Sequence, residues 1–305
     1  MSLHARAVQD FPAMEPATDR PRPLNELPRH ALAAVAGVLT DIDDTLTDHG
    51  SLLAPARQAL HALAAAGVPV VAITGRPMGW SEPLARSLPL SAVVAENGAV
   101  ALVPDPGAPD GLRVAFEQDE PTRAANSERL REVAARVLAE VPGATLARDS
   151  AGRVTDIAID HSEHARLDEP AIARVVALMR EAGMSATVSS IHVNGWFGAH
   201  TKLSGARWMV RELFGRELDA ERERWLYVGD STNDQLLFGH LPLSVGVANV
   251  RDFAARLHTW PAYITDGARG QGFAEVAQAL LAARPGGPGL QAVVSAASAA
   301  FTPRG

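Results

Sequence analysis

The chain contains no cysteine. Disulfides, thiolate nucleophiles and cysteine-type zinc sites are therefore excluded. Aromatic residues are scarce, 5% of 305, so the core must be aliphatic and closely packed, with much alanine. Positive charge is in deficit too: 28 Lys and Arg stand against 35 Asp and Glu, a formal net charge of −7. That balance argues against a nucleic-acid surface, which needs clustered cations. It leaves room for an anionic ligand wherever a few cations or a metal reverse the local sign. No run approaches the ~20 apolar residues that span a bilayer. The opening MSLHARAVQDFPAMEP has acids and prolines where a signal peptide needs an unbroken apolar stretch. The expectation is a cytoplasmic protein with no membrane or nucleic-acid partner; its oligomeric state is not legible.

Hydrophobic residues make up 47%, enough for one large domain or two smaller ones. Residues 1–30 and 285–305 are aperiodic and rich in proline or small residues, and read as flexible tails. Between them AVAGVLTDI, VPVVAIT, SAVVAEN, RWLYVGD and LSVGVA are short apolar runs of the kind that form buried parallel strands. APARQALHALAAAG, residues 79–88, TKLSGARWMVRELFG, TNDQLLFGH and GFAEVAQALLAA read as helices. GAVALV opens a hairpin-like stretch that ends in the loop PDPGAPDG. The middle has another texture. LRVAFEQ reads as a strand, NSERLREVAARVLAEV as an amphipathic helix capped by Asn126 or Ser127, and VTDIAID as a half-exposed strand. EPAIARVVALMREAG is a second helix, and SATVSS and IHVNGWF are two more strands. The expected architecture is α/β: a doubly wound, Rossmann-like parallel sheet over 31–103 and 199–284, interrupted by an α+β cap over 104–198.

In open parallel sheets, ligands gather at the carboxyl ends of the strands. Four of the predicted strands end in polar groups: Asp41 with Asp43, Thr74, Glu96 with Asn97, and Asp230. Three carboxylates within 41–44 repel one another unless water or a cation serves them. Asp41, Asp43 and Asp230 converging on one point would suit a hard cation such as Mg2+.

DIDDTL resembles the first motif of the haloacid dehalogenase-like superfamily, AITGRP its second and GDSTND its fourth. Lys202, just after the middle module, stands where the third motif places a lysine. Order and spacing of the four agree over about residues 35–283, and an insert between the second and third motifs resembles the Cof-like, type IIB capped branch. That branch includes sucrose-phosphate, trehalose-phosphate and mannosyl-phosphoglycerate phosphatases. The resemblance implies a Mg2+-dependent phosphatase acting on a small phosphorylated metabolite, a sugar phosphate. Asp41 would be the nucleophile and Asp43 the acid/base. Thr74 and Lys202 would hold the phosphate, with Gly75, Arg76, Asn233 and, from the cap, His192 beside the substrate. Asp41, Asp43 through its main-chain carbonyl, Asp230 and Asp234 would form the metal site, with Asn233 and Asp234 orienting its shell and Lys202. A phosphomutase and a catalytically silent metal-binding regulator are the alternatives. Two positions depart from the branch: the glycine that usually follows the lysine is delayed to Gly205, and the first-motif position commonly held by glycine is Asp44.

Several of these residues also admit plainer roles. Thr74 could cap the following helix, and Arg76 could pair with a nearby acid. Lys202 alone would be an ordinary surface lysine. His192, Asn194 and Trp196 share one face of a strand, which could face the active site or pack on the cap helices; for Trp196 packing is expected. Asp156, Asp160, His161 and His164 are expected at a solvated strand end rather than around a metal.

Overall fold

The structure is a computed structural model that describes residues 21–284; the expected tails at 1–20 and 285–305 lie outside the described residues. The chain runs through β1 (Arg22–Pro23), α1 (Arg29–Ala33), β2 (Gly37–Thr40), a small hairpin of β3 (Thr47–Asp48) and β4 (Ser51–Leu52), and α2 (Ala54–Ala65). Then come β5 (Val70–Ile73), α3 (Met78–Ser87), β6 (Ala92–Ala95), β7 (Val100–Pro104) and β8 (Leu112–Phe116). The middle holds α4 (Glu120–Glu140), β9 (Thr145–Leu146), β10 (Asp156–Asp160), α5 (Glu169–Glu181), β11 (Ser185–Val188) and β12 (His192–Trp196). The last part is α6 (Lys202–Phe214), β13 (Trp225–Gly229), α7 (Gln235–His240), β14 (Leu243–Gly246), β15 (Tyr263–Ile264) and α8 (Arg269–Ala283).

The main sheet has the order β1-β15-β14-β13-β2-β5-β6-β7-β8. It is parallel from β1 to β6, and β7 and β8 extend it as antiparallel strands. β2, β5 and β6 are buried at every position, as strands covered on both faces must be. One face packs on Leu60 and Leu63 of α2 and Phe273 and Leu280 of α8. The other packs on Met209 and Val210 of α6 and Leu237 and Phe238 of α7. Gly37 is required by this packing: a Cβ there would lie 2.4 Å from the Trp225 ring. The chain leaves β2 towards β5 on one side and returns through β13 on the other. The carboxyl ends of β2 and β13 therefore flank the point where the sheet order reverses.

The middle module is a separate four-stranded antiparallel sheet, β11-β12-β10-β9. Ile157, Ile159 and Val193 face α4 and α5 and pack with Val137, Val175 and Leu178. Alternation puts Asp156, Asp160, His192 and Asn194 on the opposite face. There Asn194 Nδ2 donates to the Gly75 carbonyl of the core at 3.2 Å.

Four expectations need correction. Residues 21–30 are not all tail: β1 pairs with β15 at the sheet edge, where proline is tolerated, and Leu27 is buried in the core. β8, expected in the cap, belongs to the main sheet, because the loop after β7 returns the chain along the same hairpin, Val100 opposite Phe116. α4 begins at Glu120, not near 127. Asp119 caps it by accepting from Thr122 N at 2.9 Å, and a proline follows in the first turn, a stronger start than Asn126 or Ser127. β10 is buried at all five positions rather than half-exposed, because the core covers its polar face.

Candidate active site

β2 delivers Asp41, whose own N–H donates to the Val228 carbonyl of β13 at 2.8 Å. This ladder bond ties the tip of β2 to the strand that ends in Asp230. Lys202 is the first residue of α6, placed by a capping box between Thr201 and Ser204. Its Nζ donates to Asp41 Oδ1 at 2.5 Å and to Asp234 Oδ1 at 2.8 Å. Far from being a surface lysine, its side chain is 2% exposed. Burial pushes the ammonium pKa down, but Asp234 and Asp41 hold it above its ordinary value. Burial pushes the Asp41 carboxyl up to about 8, with Lys202 opposing.

Asp234 is used up by its neighbours. Oδ1 also accepts from Tyr227 Oη at 2.5 Å, and Oδ2 accepts the N–H groups of Asp230 and Ser231 at 2.9 and 3.0 Å. With the lysine, four donors occupy the four lone-pair directions of one carboxylate. Asp234 therefore anchors the loop and the lysine beside the metal position rather than offering a free oxygen. Asn233 is partly exposed at the pocket wall, its Oδ1 accepting from Ser231 Oγ at 3.0 Å.

Asp230 is the opposite case. Oδ2 accepts from Asn249 Nδ2 at 3.2 Å, while Oδ1 is buried without a hydrogen-bond partner among the described residues. Burial, then Asp41 and Asp234, push its pKa well up. An orphaned carboxylate oxygen facing other carboxylates has the wrong electrostatics for a vacant core and the right ones for a hard cation. Asp41, Asp230 and Asp234 carry oxygens within 4.8 Å of one another. With Asp234 saturated by its four donors, the carboxylates of Asp41 and Asp230 are the ones that fit Mg2+.

Asp43 accepts from Arg76 Nε at 2.9 and 3.1 Å. Burial raises its pKa, with Arg76 opposing. Arg76 also binds Asp149 and Glu163, both from the middle module; the acid-pairing expectation for it holds. Thr74 is not the cap of α3, which is Pro77. Its Oγ1 accepts from Arg76 N at 3.0 Å within the turn, which leaves its hydroxyl proton free for another acceptor. The Gly75 carbonyl accepts from Arg153 Nη1 and Asn194 Nδ2. His192 Nε2 lies 2.9 Å from Glu163 Oε2. Trp196 is packed, with Nε1 donating to the His200 carbonyl. Asp44 has φ +52°, the left-handed region that glycine prefers and Asp tolerates. Its carboxylate turns to Arg269 Nε at 3.2 Å.

The strand-end acids of the cap are buried rather than solvated. Asp156 binds Arg153 and Asn194, and burial raises its pKa to about 7. Asp160 accepts the N–H groups of Ser162, Glu163 and His164. His161 is buried and His164 exposed.

Sequence reasoning missed Asn249, Asp149, Arg153, Glu163 and Tyr227. Asn249 Nδ2 donates both to the Asp44 carbonyl at 3.0 Å and to Asp230, joining the first and last loops of the site. Its position just after the apolar run of β14 was the available signal. The pocket that results is lined by Asp41, Asp43, Gly75, Arg76, Ser189, Ser190, Ile191, His192, Asn194, Ser231 and Asn233, and encloses about 10 Å³, room for roughly one water.

A model of the haloacid dehalogenase-like hydrolase family matches residues 38–107. No curated protein matches the sequence. Among solved structures, a Thermoplasma acidophilum protein aligns with TM-score 0.60 and 16% identity over 81% of this chain and 98% of its own. The C-terminal domain of C. albicans trehalose-6-phosphate phosphatase aligns with TM-score 0.60 and 15% identity over 86% of this chain and 98% of its own. Sucrose-phosphatase from Synechocystis, solved with sucrose and phosphate, aligns with TM-score 0.54 and 18% identity over 79% of this chain and 96% of its own. Residues 38–107 are thus similar to the haloacid dehalogenase-like hydrolase family, and the chain shares its overall fold with these solved structures. No helix among the described residues is long and apolar enough to cross a membrane.

Proposed function

We propose that the protein is a divalent-cation-dependent phosphatase that hydrolyses a small phosphomonoester, a sugar phosphate, by way of phospho-Asp41. The observation that carries this reading is the buried Lys202 bridging Asp41 and Asp234 at 2.5 and 2.8 Å beside the unpartnered oxygen of Asp230. A carboxylate nucleophile and a phosphate repel each other, and a cation fixed between them removes that barrier.

Lys202 holds Asp41 Oδ1, leaving Oδ2 to attack phosphorus. Thr74 Oγ and Lys202 Nζ donate to the transferring group's oxygens. Asp43 protonates the departing oxygen, then takes a proton from the water that hydrolyses the acyl phosphate. Asp41, Asp230 and the main-chain oxygen of Asp43 would hold Mg2+, with Asp234 orienting the loop. When bound, the ion supplies charge neutralisation for the phosphate. Asn249 keeps Asp230 aimed at that place. Arg76, already engaged by three carboxylates, is not free to recognise a second anionic group.

Three things support a sugar as the remainder of the substrate. The cap wall offers Ser189, Ser190, His192 and Asn194, hydrogen-bonding groups suited to hydroxyls. Among the described residues that wall has no Phe, Tyr or Trp ring on which a nucleobase would stack. Similar folds include phosphatases named for trehalose 6-phosphate and sucrose. Because the pocket admits about one water, the cap must swing away for entry and close for chemistry. Phosphate release from a panel of sugar phosphates, with and without EDTA, tests the reading. EDTA-sensitive release is expected. An isomerised phosphosugar instead of free phosphate would make it a mutase, and metal binding without turnover would make it a regulator.

A further inference from the structure

Arg76 connects the two halves of the molecule. Its Nε faces the core, 2.9 and 3.1 Å from the Asp43 carboxylate oxygens. Its two terminal nitrogens face the cap: Nη2 donates to Glu163 Oε1 at 2.7 Å, and Nη1 to Asp149 Oδ2 at 3.1 Å and Glu163 Oε2 at 3.3 Å. The guanidinium lies over the Trp80 ring at 4.8 Å. Each cap acid is braced from behind, Glu163 by His192 Nε2 at 2.9 Å and Asp149 by Arg153 Nη2 at 3.2 Å. A guanidinium is a rigid planar fork, so fixing one edge fixes the direction of the other.

We propose that Glu163 is a positioning residue: reaching down from the cap, it sets the plane of Arg76, and Arg76 in turn aims the Asp43 carboxyl at the leaving oxygen. Asp149 holds the same fork more weakly. The site is complete only with the cap shut, since opening removes two of the three carboxylates that hold the fork. This rests on the reading of Asp43 as proton carrier. In the step concerned, Asp41 Oδ2 forms a bond to phosphorus while the ester P–O bond breaks. The bonding pair goes to the leaving oxygen, which takes the proton of the Asp43 carboxyl. An alkoxide needs that proton, whereas p-nitrophenolate is stable without it.

Leaving-group dependence therefore isolates the role. With Mg2+ present, kcat/KM of the full chain is measured for glucose 6-phosphate and for p-nitrophenyl phosphate. Glu163→Gln keeps the size but removes the charge and one of the two acceptor oxygens that hold the Arg76 fork. It is expected to lower the ratio of the first kcat/KM to the second by about tenfold or more, within the range a general acid contributes. Asp149→Asn, which leaves Glu163 in place, should lower that ratio by less and serves if the first variant folds poorly. In the metal-free protein, the Arg76 Nε–H resonance should be protected from exchange and lose protection in Glu163→Gln. An equal loss on both esters, or no loss, overturns the proposal while leaving the phosphatase reading intact. A wild-type protein that hydrolyses neither ester overturns both.

Discussion

The core and the cap solve different packing problems. The core buries its sheet on both faces, with Leu60, Leu280, Met209 and Leu237 among the contacts, and leaves charge only at the strand ends. The cap buries one sheet face against its helices and turns the other, bearing Asp156, His192 and Asn194, onto the core. Among the described residues, no apolar cluster joins the two. What joins them is polar: Arg76 to Glu163 and Asp149, Gly75 O to Arg153 and Asn194, and Glu96 to Val154 N and Thr155 N. Such an interface separates without exposing a hydrophobic core. On the proposed reading, the chemistry belongs to the core and the enclosing groups belong to the cap.

Changes at the core's strand ends should have the largest effect on turnover. Asp41→Asn is expected to reduce turnover by about 10⁴-fold or more. It should not lower the melting temperature of the metal-free protein, because burial already disfavours that charge. Undiminished hydrolysis of p-nitrophenyl phosphate by that variant would refute the nucleophile. Lys202→Met should destabilise the fold by about 3–5 kcal/mol, leaving Asp41 and Asp234 without their buried cation; a denaturation midpoint matching the wild type would contradict this. Lys202→Arg should fold but lose most turnover, because a planar fork cannot replace a point charge between two carboxylates.

Changes in the cap's apolar layer should act locally. Leu178→Ala should cost the cap about 2–5 kcal/mol. It should speed amide exchange in β10 and β12 while β2 and β13 stay protected; uniform loss of protection would mean that core and cap unfold together.

Acidity distinguishes the two regions next. The Asp41 carboxyl rises from 3.8 to about 8 on folding. A raised folded-state pKa gives stability that is complete below the unfolded value and lost as pH climbs through the folded one. The metal-free protein should therefore become less stable between pH 6.5 and 8.5, by at most about 1.4 kcal/mol per pH unit from this group. Added Mg2+ should raise the melting temperature more at pH 8.5 than at 6.5; the reverse order would contradict the assignment. At the small end stands the exposed network of Arg136, Glu140, Arg174 and Glu181 on the cap's outer surface. Arg136→Ala should leave the melting temperature close to that of the wild type, and a clear drop would contradict this.

The same division explains what could be read from the sequence. Motifs on the core were legible because short, chemically distinctive runs fall at strand ends and at the start of α6: Lys202 bridges Asp41 and Asp234, and Asp230 lies beside them. One further signal lay unused: Lys202 is the sole lysine among 28 basic residues. In a chain that otherwise uses arginine, a lone lysine marks a place where only a compact charge fits. Residues that act across the cap interface left no such mark. Glu163 and Asp149 sit in turns of ordinary polar composition, and their partner Arg76 is 87 and 73 positions away. Asn249 acts through two hydrogen bonds to loops some 205 and 19 positions distant. β8 was misplaced because a hairpin returning to the main sheet has the same local pattern as a strand entering a new one.

The most direct test is to trap the covalent intermediate. The protein would be mixed with Mg2+ and a turned-over sugar phosphate, quenched during turnover, reduced with borohydride and mapped by peptide mass. Acyl phosphate on Asp41 should appear as homoserine at position 41 alone, and not at all in the absence of substrate. Steady hydrolysis with Asp41 unmodified, or reduction at another carboxylate, would contradict the central assignment.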